Sequence, residues 1–225
     1  MFDFTIEELL AIDSILIWTA IGETLRMTLL SALFAYLVGI PIGITLVATK
    51  KNAIYQCRFV NIILGISVNI LRSIPFILLA IFVIPITRQI VGTALGSTAM
   101  IVPLTIAAIP FIARLVENAL AELDNGLIEA AKSMGATRLQ IIYKVYLPEC
   151  LPAIILTMGV STITILGFTA MAGVLGGGGL GQVAFDFGYA RFENAVLVAC
   201  IAILIIITQV IQGIVFLLNK IIDKK

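Results

Sequence analysis

The feature that most constrains this chain is a series of long stretches that contain no charged residue. Residues 27–49, between Arg26 and Lys50, form one such stretch, and about 20 apolar residues are enough for a helix to cross the hydrocarbon core of a bilayer. The whole chain is 61% hydrophobic and only 12% charged, with a mean hydropathy of +1.16. A soluble domain of 225 residues needs far more polar surface. The sequence therefore predicts an all-α, polytopic membrane protein.

Charged residues mark where each crossing ends, and five transmembrane helices are predicted, at about residues 27–49, 66–87, 90–113, 150–173 and 194–219. The second span is the least regular. Arg72 interrupts an apolar run between Arg58 and Arg88, and neither half of that run is long enough to cross comfortably alone. Pro75 lacks a backbone N–H, so a kink is expected within this span.

An odd number of spans places the two ends of the chain on opposite sides of the membrane. Ten basic residues fall on one side: Lys50, Lys51 and Arg58 in the first loop, Arg114, Lys132, Arg138 and Lys144 in the segment 114–149, and Lys220, Lys224 and Lys225 in the tail 216–225. The other side holds Arg26, Arg88 and Arg191, and Arg72 is unassigned. Because basic residues are enriched in cytoplasmic loops, the N-terminus is predicted to lie outside and the C-terminus in the cytoplasm.

Residues 1–20 are predicted to form an extracytoplasmic N-terminal extension. Within it, residues 5–18 have the pattern of a short amphipathic helix that lies on the outer surface. The first 25 residues hold five acidic residues and no Lys or Arg, which is the opposite of the basic start of a signal peptide. No cleavable signal peptide is therefore predicted.

The predicted cytoplasmic loop 114–149 contains the most informative stretch, which begins at Glu129 and reads EAAKSMGATRLQIIYKVYLP. A short helix is predicted over Glu129–Met134, with Glu129 near the positive end of the helix dipole. Asp124-Asn125-Gly126 is a turn signal before it, and Gly135 is placed to end the helix in a left-handed conformation. The local pattern alone leaves open an ordinary amphipathic cytoplasmic helix.

This stretch resembles the signature loop of ABC-importer permeases. The residues that match are Glu129, Ala130, Ala131, Gly135, Leu147 and Pro148, while Val145 stands where that family usually has Ile. The resemblance implies that these residues couple the chain to a separate ATPase subunit, because the short helix of the family docks into a cleft of that subunit. The distribution of basic residues places the loop in the cytoplasm without reference to the motif, and the two arguments agree.

Several further stretches resemble the permease subunit of bacterial methionine importers: Thr24–Thr28, Gly39–Gly43, Arg72–Phe76, Ile101–Thr105, Pro110–Arg114, Val116–Leu120 and Gly179–Gln182. The resemblance covers about residues 21–215, which are expected to form a type 1 ABC permease domain. It implies a multi-pass protein of the bacterial cell (inner) membrane. It also implies a homodimer of permeases, two ATPase subunits that use ATP and Mg²⁺, and an external substrate-binding lipoprotein. The chain itself is expected to be no enzyme, to bind no cofactor and to have no nucleic-acid partner.

The expected function is therefore the membrane permease of an ATP-driven importer for methionine, either the L-isomer alone or both isomers, working by alternating access. Two alternatives remain open at this stage. The chain could be an ABC permease for another amino acid or small solute, or it could be a membrane channel or scaffold that works without ATP.

Three residues are candidates for the transport path itself. Arg72 and Ser73 are candidates for lining the path, because a charge within the bilayer is costly and usually faces the protein interior or a wet cavity. The alternative is that Arg72 extends its guanidinium to lipid phosphates at the inner interface. Met171, predicted in the outer half of the fourth span, is a candidate gate near a two-fold axis, and the alternative for it is ordinary packing.

Other polar residues give no sign of catalysis. The chain has no His, its three cysteines (Cys57, Cys150 and Cys200) are spaced like neither a zinc site nor a redox pair, and no Gly-Lys-Ser/Thr follows the Gly176–Gly179 run. No metal site and no nucleotide loop is therefore predicted. Hydroxyl residues within the spans are expected to form hydrogen bonds between helices: Ser31, Ser67, Ser161, Thr162 and Thr164.

Overall fold

The computed structural model describes residues 14–51 and 54–222, and within these ranges the chain is helical and contains no strand. The elements, in chain order, are α1 (Ser14–Ala48), α2 (Arg58–Ser73), α3 (Phe76–Phe82), α4 (Ile84–Val91), α5 (Ser97–Ala121), α6 (Asn125–Ser133), α7 (Arg138–Ile141), a π-helical segment π1 (Ile142–Tyr146), α8 (Leu147–Val174), α9 (Gly179–Val183), a second π-helical segment π2 (Ala184–Tyr189) and α10 (Asn194–Ile222).

Four stretches are long and apolar enough to cross a membrane: α1, α5, the continuous stretch 138–174 that ends in α8, and α10. The pair α2 and α3 counts as a fifth if it is one broken span. The all-α, polytopic class predicted from the sequence is therefore confirmed. The side of the membrane on which each end lies stays a prediction.

Helix α1 begins well before the predicted first span, at Ser14 rather than near residue 27. The prediction used Arg26 as the boundary of the span, but the helix continues past it in the N-terminal direction and also includes Glu23, whose carboxylate accepts a hydrogen bond from the backbone N–H of Gly179, 2.7 Å away. Thr24 does the same for the N–H of Leu180 at 2.9 Å. Residues 14–20 of the predicted extension thus belong to α1, while residues 1–13 lie outside the described residues, as does most of the predicted amphipathic helix 5–18.

The predicted second span, 66–87, is not one helix. Helix α2 ends at Ser73, and the chain turns by 104° before α3 begins at Phe76. Pro75 causes the break, because it has no N–H to continue the helix and forces Ile74 into an extended conformation, with φ −82° and ψ 122°. A parallel ring stack between Phe76 and Phe168, with centroids 5.0 Å apart, then joins α3 to α8.

The most extensive packing in the described bundle is between α1 and α5. It depends on Gly39 and Gly43, one turn apart on α1. A Cβ atom at Gly43 would lie 2.7 Å from both the carbonyl oxygen of Ala113 and the Cβ of Val116, and one at Gly39 would lie 2.9 Å from the side chain of Ile112. Two glycines four residues apart therefore let the two backbones approach closely, as small residues do between membrane helices.

A single methyl group at this contact is expected to destabilise the bundle. Gly43→Ala places a Cβ against backbone that cannot move aside, and such overpacking costs about 1–3 kcal/mol. The midpoint of thermal unfolding in detergent is expected to fall by about 2–4 °C per kcal/mol in a chain of this size.

The matched control is Gly22→Ala on the same helix, where an added Cβ would meet nothing within 4 Å. Alanine is the better helix former, so this variant is expected to match or slightly exceed the native midpoint. Equal midpoints for the two variants would show that the α1–α5 contact is not tight.

Candidate functional site

The loop that follows α5 forms a separate short helix, α6, which begins four residues earlier than predicted. The side chain of Asp124 caps it by accepting a hydrogen bond from the N–H of Gly126 at 2.9 Å. Gly126 therefore lies inside the first helical turn and not in a turn before the helix. Glu129 consequently sits in the middle of α6 and not at its start.

Gly135 ends α6 as predicted, with a left-handed φ of 79°. Its N–H donates to the carbonyl of Lys132 and the N–H of Ala136 donates to the carbonyl of Ala131, both at 3.0 Å. This pair of bonds is the Schellman motif, which requires a residue with positive φ at the position of Gly135. The motif turns the chain sharply, and Ala131 and Ala136 both pack against the main core cluster.

Helix α6 has two different faces. Ile128 is buried against the bundle, and Glu129 and Lys132 flank it at 100° and 40° around the helix axis. Three exposed residues lie on the side of the helix opposite Lys132: Leu127, which is 42% exposed, Ala130, and Met134 just beyond the helix, which is 85% exposed. Of the predicted coupling residues, Ala130 thus lies on an exposed apolar surface, whereas Glu129 lies on the flank nearer the bundle.

The chain between Gly135 and the fourth predicted span is tied to the bundle core. Thr137 and Gln140 form a reciprocal capping box at the start of α7, and Ile141 and Tyr146 are buried in the main core cluster. Leu147 packs against the same cluster, while Pro148 is exposed in the first turn of α8. Residues of α7, π1 and the first turn of α8 therefore all pack on the bundle core.

A buried carboxylate joins three helices near α6. Glu117 on α5 has only 6% of its side chain exposed and pairs with Lys50 at 2.9 Å and with Arg114 at 2.6 Å. Arg114 also donates to the amide oxygen of Asn69 on α2 at 2.6 Å. Since Lys50 lies two residues after the last residue of α1, the network links the ends of α1, α2 and α5. A buried charge is stable only when it is paired in this way.

Hydroxyl groups within the bundle form the expected contacts between helices in three of the five positions. The Tyr36 hydroxyl on α1 lies 3.0 Å from Ser161 Oγ and 2.6 Å from Thr162 Oγ1 on α8. Ser31 donates to the carbonyl of Ile101 on α5 at 3.3 Å. Thr164 instead bonds its own helix, at the carbonyl of Val160.

The three candidates for the transport path are all exposed on the single chain. Arg72 and Ser73 lie in the last turn of α2, directly before the 104° bend, and Ser73 donates to the carbonyl of Asn69 at 2.8 Å. Met171 is 44% exposed near the end of α8. The structure does not bring Met171 together with the residues of the α6 region.

Sequence reasoning missed Glu117 and Tyr36. Arg114 and Glu117 stand three residues apart in one helix, a spacing that favours an ion pair. The sequence could therefore have predicted this one contact of the network. The approach of Lys50 and Asn69 depends on how the helices pack. The same holds for Tyr36, whose partners are more than 120 residues away.

Comparison with known proteins shows extensive similarity. The family described as "binding-protein-dependent transport system inner membrane component" matches residues 39–225. A relative from Vibrio cholerae, named "Probable D-methionine transport system permease protein MetI", is 47% identical over 210 residues, which are 93% of each chain. The "D-methionine transport system permease protein MetI" of Escherichia coli K12 is 48% identical over 153 residues, which are 68% of this chain and 70% of the relative.

Solved structures show the same likeness. One in the set "Inward facing conformations of the MetNI methionine ABC transporter" has a TM-score of 0.91 and 41% identity over 95% of this chain and 100% of its own. An amino acid ABC transporter crystallised with histidines has a TM-score of 0.80 at 19% identity, covering 96% of this chain and 99% of its own. The second match shows a shared fold only.

Neutralising Glu117 is expected to loosen the junction of α1, α2 and α5. Glu117→Gln leaves Lys50 and Arg114 without their carboxylate, and the loss is expected to be about 1–3 kcal/mol, below the range for fully buried pairs because Lys50 is 43% exposed. Glu122→Gln is the matched control, because Glu122 is exposed at the end of the same helix and surface changes usually stay within about 0.5 kcal/mol. Thermal unfolding in detergent measures both, and equal midpoints would mean that the network contributes no stability.

Proposed function

This chain belongs to the family of binding-protein-dependent transport system inner membrane components, and we propose that it is the membrane permease of an ATP-driven methionine importer. One observation carries the proposal: a short helix, α6, packs against the bundle through Ile128 and Ala131 and presents an exposed apolar face. Relatives of this chain are named as D-methionine permeases, and one of the solved structures that it resembles is a methionine ABC transporter. The chain is then no enzyme itself, and a partner subunit hydrolyses ATP.

In this proposal α6 is the helix on which the ATPase acts. Leu127, Ala130 and Met134 form the docking face, and the small side chain of Ala130 lets the backbone of a partner approach. Gly135 fixes where the helix ends, and Ala131 ties α6 to the core. Leu147 and Pro148 start α8, so a displacement of α6 reaches a membrane-spanning helix directly.

A second copy of this chain would supply the other wall of the path, because the candidate path residues are exposed on a single copy. A symmetric dimer places the same surface of each copy at the axis. Met171 would then close the path towards the outside, and Arg72 and Ser73 would line it.

The proposed gate is tested at Met171. Met171→Ala is expected to raise the passive leak of methionine across proteoliposomes, and an unchanged leak would rule the gate out.

Transport follows as alternating access. ATP binding brings the two ATPase subunits together, the two copies of α6 move with them, and the path opens to an external binding protein that delivers methionine. Hydrolysis returns the bundle to its inward-facing state. Each ligand shifts this equilibrium only through its different affinity for the two states.

The coupling role of α6 is tested at Gly135. Gly135→Val forces a β-branched residue into a left-handed conformation, which costs about 1–2 kcal/mol, or roughly a tenfold shift away from the native end of α6. Methionine uptake per ATP hydrolysed in proteoliposomes is therefore expected to fall.

Gly135→Asn is the matched control, because Asn adopts the left-handed conformation readily. The surroundings of Gly135 are open, with nothing within 4 Å of an added Cβ, so the two variants differ in backbone strain and not in crowding. Native coupling in both variants would contradict the proposed role of α6.

The substrate is tested by uptake of labelled L-methionine and D-methionine into proteoliposomes that hold the permease, its ATPase and the binding protein. Uptake is expected to depend on ATP and to be competed by unlabelled methionine but not by other amino acids. Competition by another amino acid at lower concentration would assign that substrate instead. Uptake without ATP would point to a channel.

A further inference from the structure

A cavity of about 520 Å³ lies beside the inner flank of α6, and the proposed function does not use it. We call the buried residues of its lining its floor, and they include the apolar side chains of Val47 and Leu120 and the ring of Tyr146. The rest of the lining, its wall, includes three lysines: Lys50, Lys51 and Lys132. Glu129 is the acidic residue on the lining. The cavity thus combines an apolar floor with a cationic wall.

Part of this positive charge is uncompensated. Lys50 is paired with Glu117, but Arg114 shares the same carboxylate. Within residues 14–51 and 54–222, Lys51 and Lys132 form no ion pair. An anion of about the size of a phosphate group would therefore find ammonium donors on the ends of two different elements, the α1 end and α6.

The position of the cavity favours a lipid over the ATPase. Lys50 and Lys51 closely follow α1, a candidate membrane span, so the proposed orientation puts them at the cytoplasmic surface of the bilayer. Glu129 and Lys132 lie on the flank of α6 nearer the bundle, while the exposed apolar face of Leu127, Ala130 and Met134 points the other way. A protein docked on that face would leave the cavity accessible from the membrane side.

We propose that this cavity binds the phosphate headgroup of an anionic phospholipid from the cytoplasmic leaflet. Basic pockets between helices on the cytoplasmic side of membrane proteins bind such headgroups. The ammonium groups of Lys51 and Lys132 would donate hydrogen bonds to the phosphate oxygens, and the apolar floor would contact the glycerol and the first methylene groups. The lipid would then connect the end of α1 with α6. This inference rests on the proposed cytoplasmic position of α6.

The test measures lipid retention by the assembled complex of permease and ATPase, purified from nanodiscs of equal phosphatidylglycerol and phosphatidylcholine. Native mass spectrometry counts the lipids that remain bound to each complex. The native protein is expected to retain phosphatidylglycerol in preference to phosphatidylcholine. Lys51→Gln combined with Lys132→Gln is expected to lower that preference by about thirtyfold, since each lysine near an anionic lipid contributes about 1 kcal/mol of binding free energy.

The matched control combines Lys144→Gln with Lys220→Gln. Both lysines are exposed on the predicted cytoplasmic side, do not line the cavity, and change the net charge equally. Retention of phosphatidylglycerol by this control supports a specific site. An equal loss in both double variants, or no loss in either, would overturn the proposal.

Two further arms identify other occupants. Displacement of phosphatidylglycerol by millimolar glycerol 3-phosphate or inorganic phosphate would show that the site takes a soluble phosphate, which overturns the lipid assignment. Retention by the isolated permease but not by the assembled complex would show that the ATPase fills the cavity, which also overturns it. The same spectra show whether the ATPase remains bound, so failure of the proposed function is seen separately from loss of the lipid.

Discussion

Inside a bilayer the hydrophobic effect does not draw one helix to another, so close packing and hydrogen bonds must hold the bundle together. In this protein the approach of α1 to α5 at Gly39 and Gly43 is the contact on which the other elements depend. It brings Lys50 to Glu117, and through Arg114 it brings in Asn69 on α2. On another side of α1, Tyr36 reaches the hydroxyl groups of α8.

In the proposed mechanism, this packing would carry a movement of α6 to a membrane-spanning helix. Helix α6 is joined to the bundle by Ile128 and by the Schellman motif at Gly135, and α7, π1 and α8 follow as one continuous helical stretch. The segment π1 lies within this stretch and changes the helical register locally. The α6 region and α8 also share a core, because Ile128, Tyr146 and Ile165 are buried in the same cluster.

Patterns of neighbouring residues predicted the features that depend on backbone conformation and local hydrophobicity. The apolar runs predicted the long helices, Pro75 predicted a kink, and the glycine at 135 predicted a left-handed helix end. The same patterns made Arg26 the boundary of the first span and did not predict that its helix begins as early as Ser14, where Glu23 finds its partner in the backbone of Gly179, 156 residues away. Pro75 was expected to bend one helix, and instead it separates α2 from α3 by 104°.

Contacts between distant parts of the chain could not be read from one sequence. The matching residues of the coupling loop were recognisable as a motif. The sequence did not predict that Glu129 lies on the inner flank of α6 while Ala130 faces outwards. The start of α6 at Asn125 was missed for a similar reason, since the pattern of Asp124-Asn125-Gly126 is compatible with either a turn or a cap.

The central claim is that the exposed face of α6 lies in the cytoplasm and is covered by an ATPase. Met134, which is 85% exposed, can be replaced by Cys in a Cys57→Ser background, where the remaining cysteines, Cys150 and Cys200, are buried. A maleimide that cannot cross membranes is then applied to vesicles of both orientations. We expect position 134 to react only in inside-out vesicles, and to be protected when the ATPase subunit is bound. Reaction in right-side-out vesicles would contradict the orientation, the coupling and the direction of transport together.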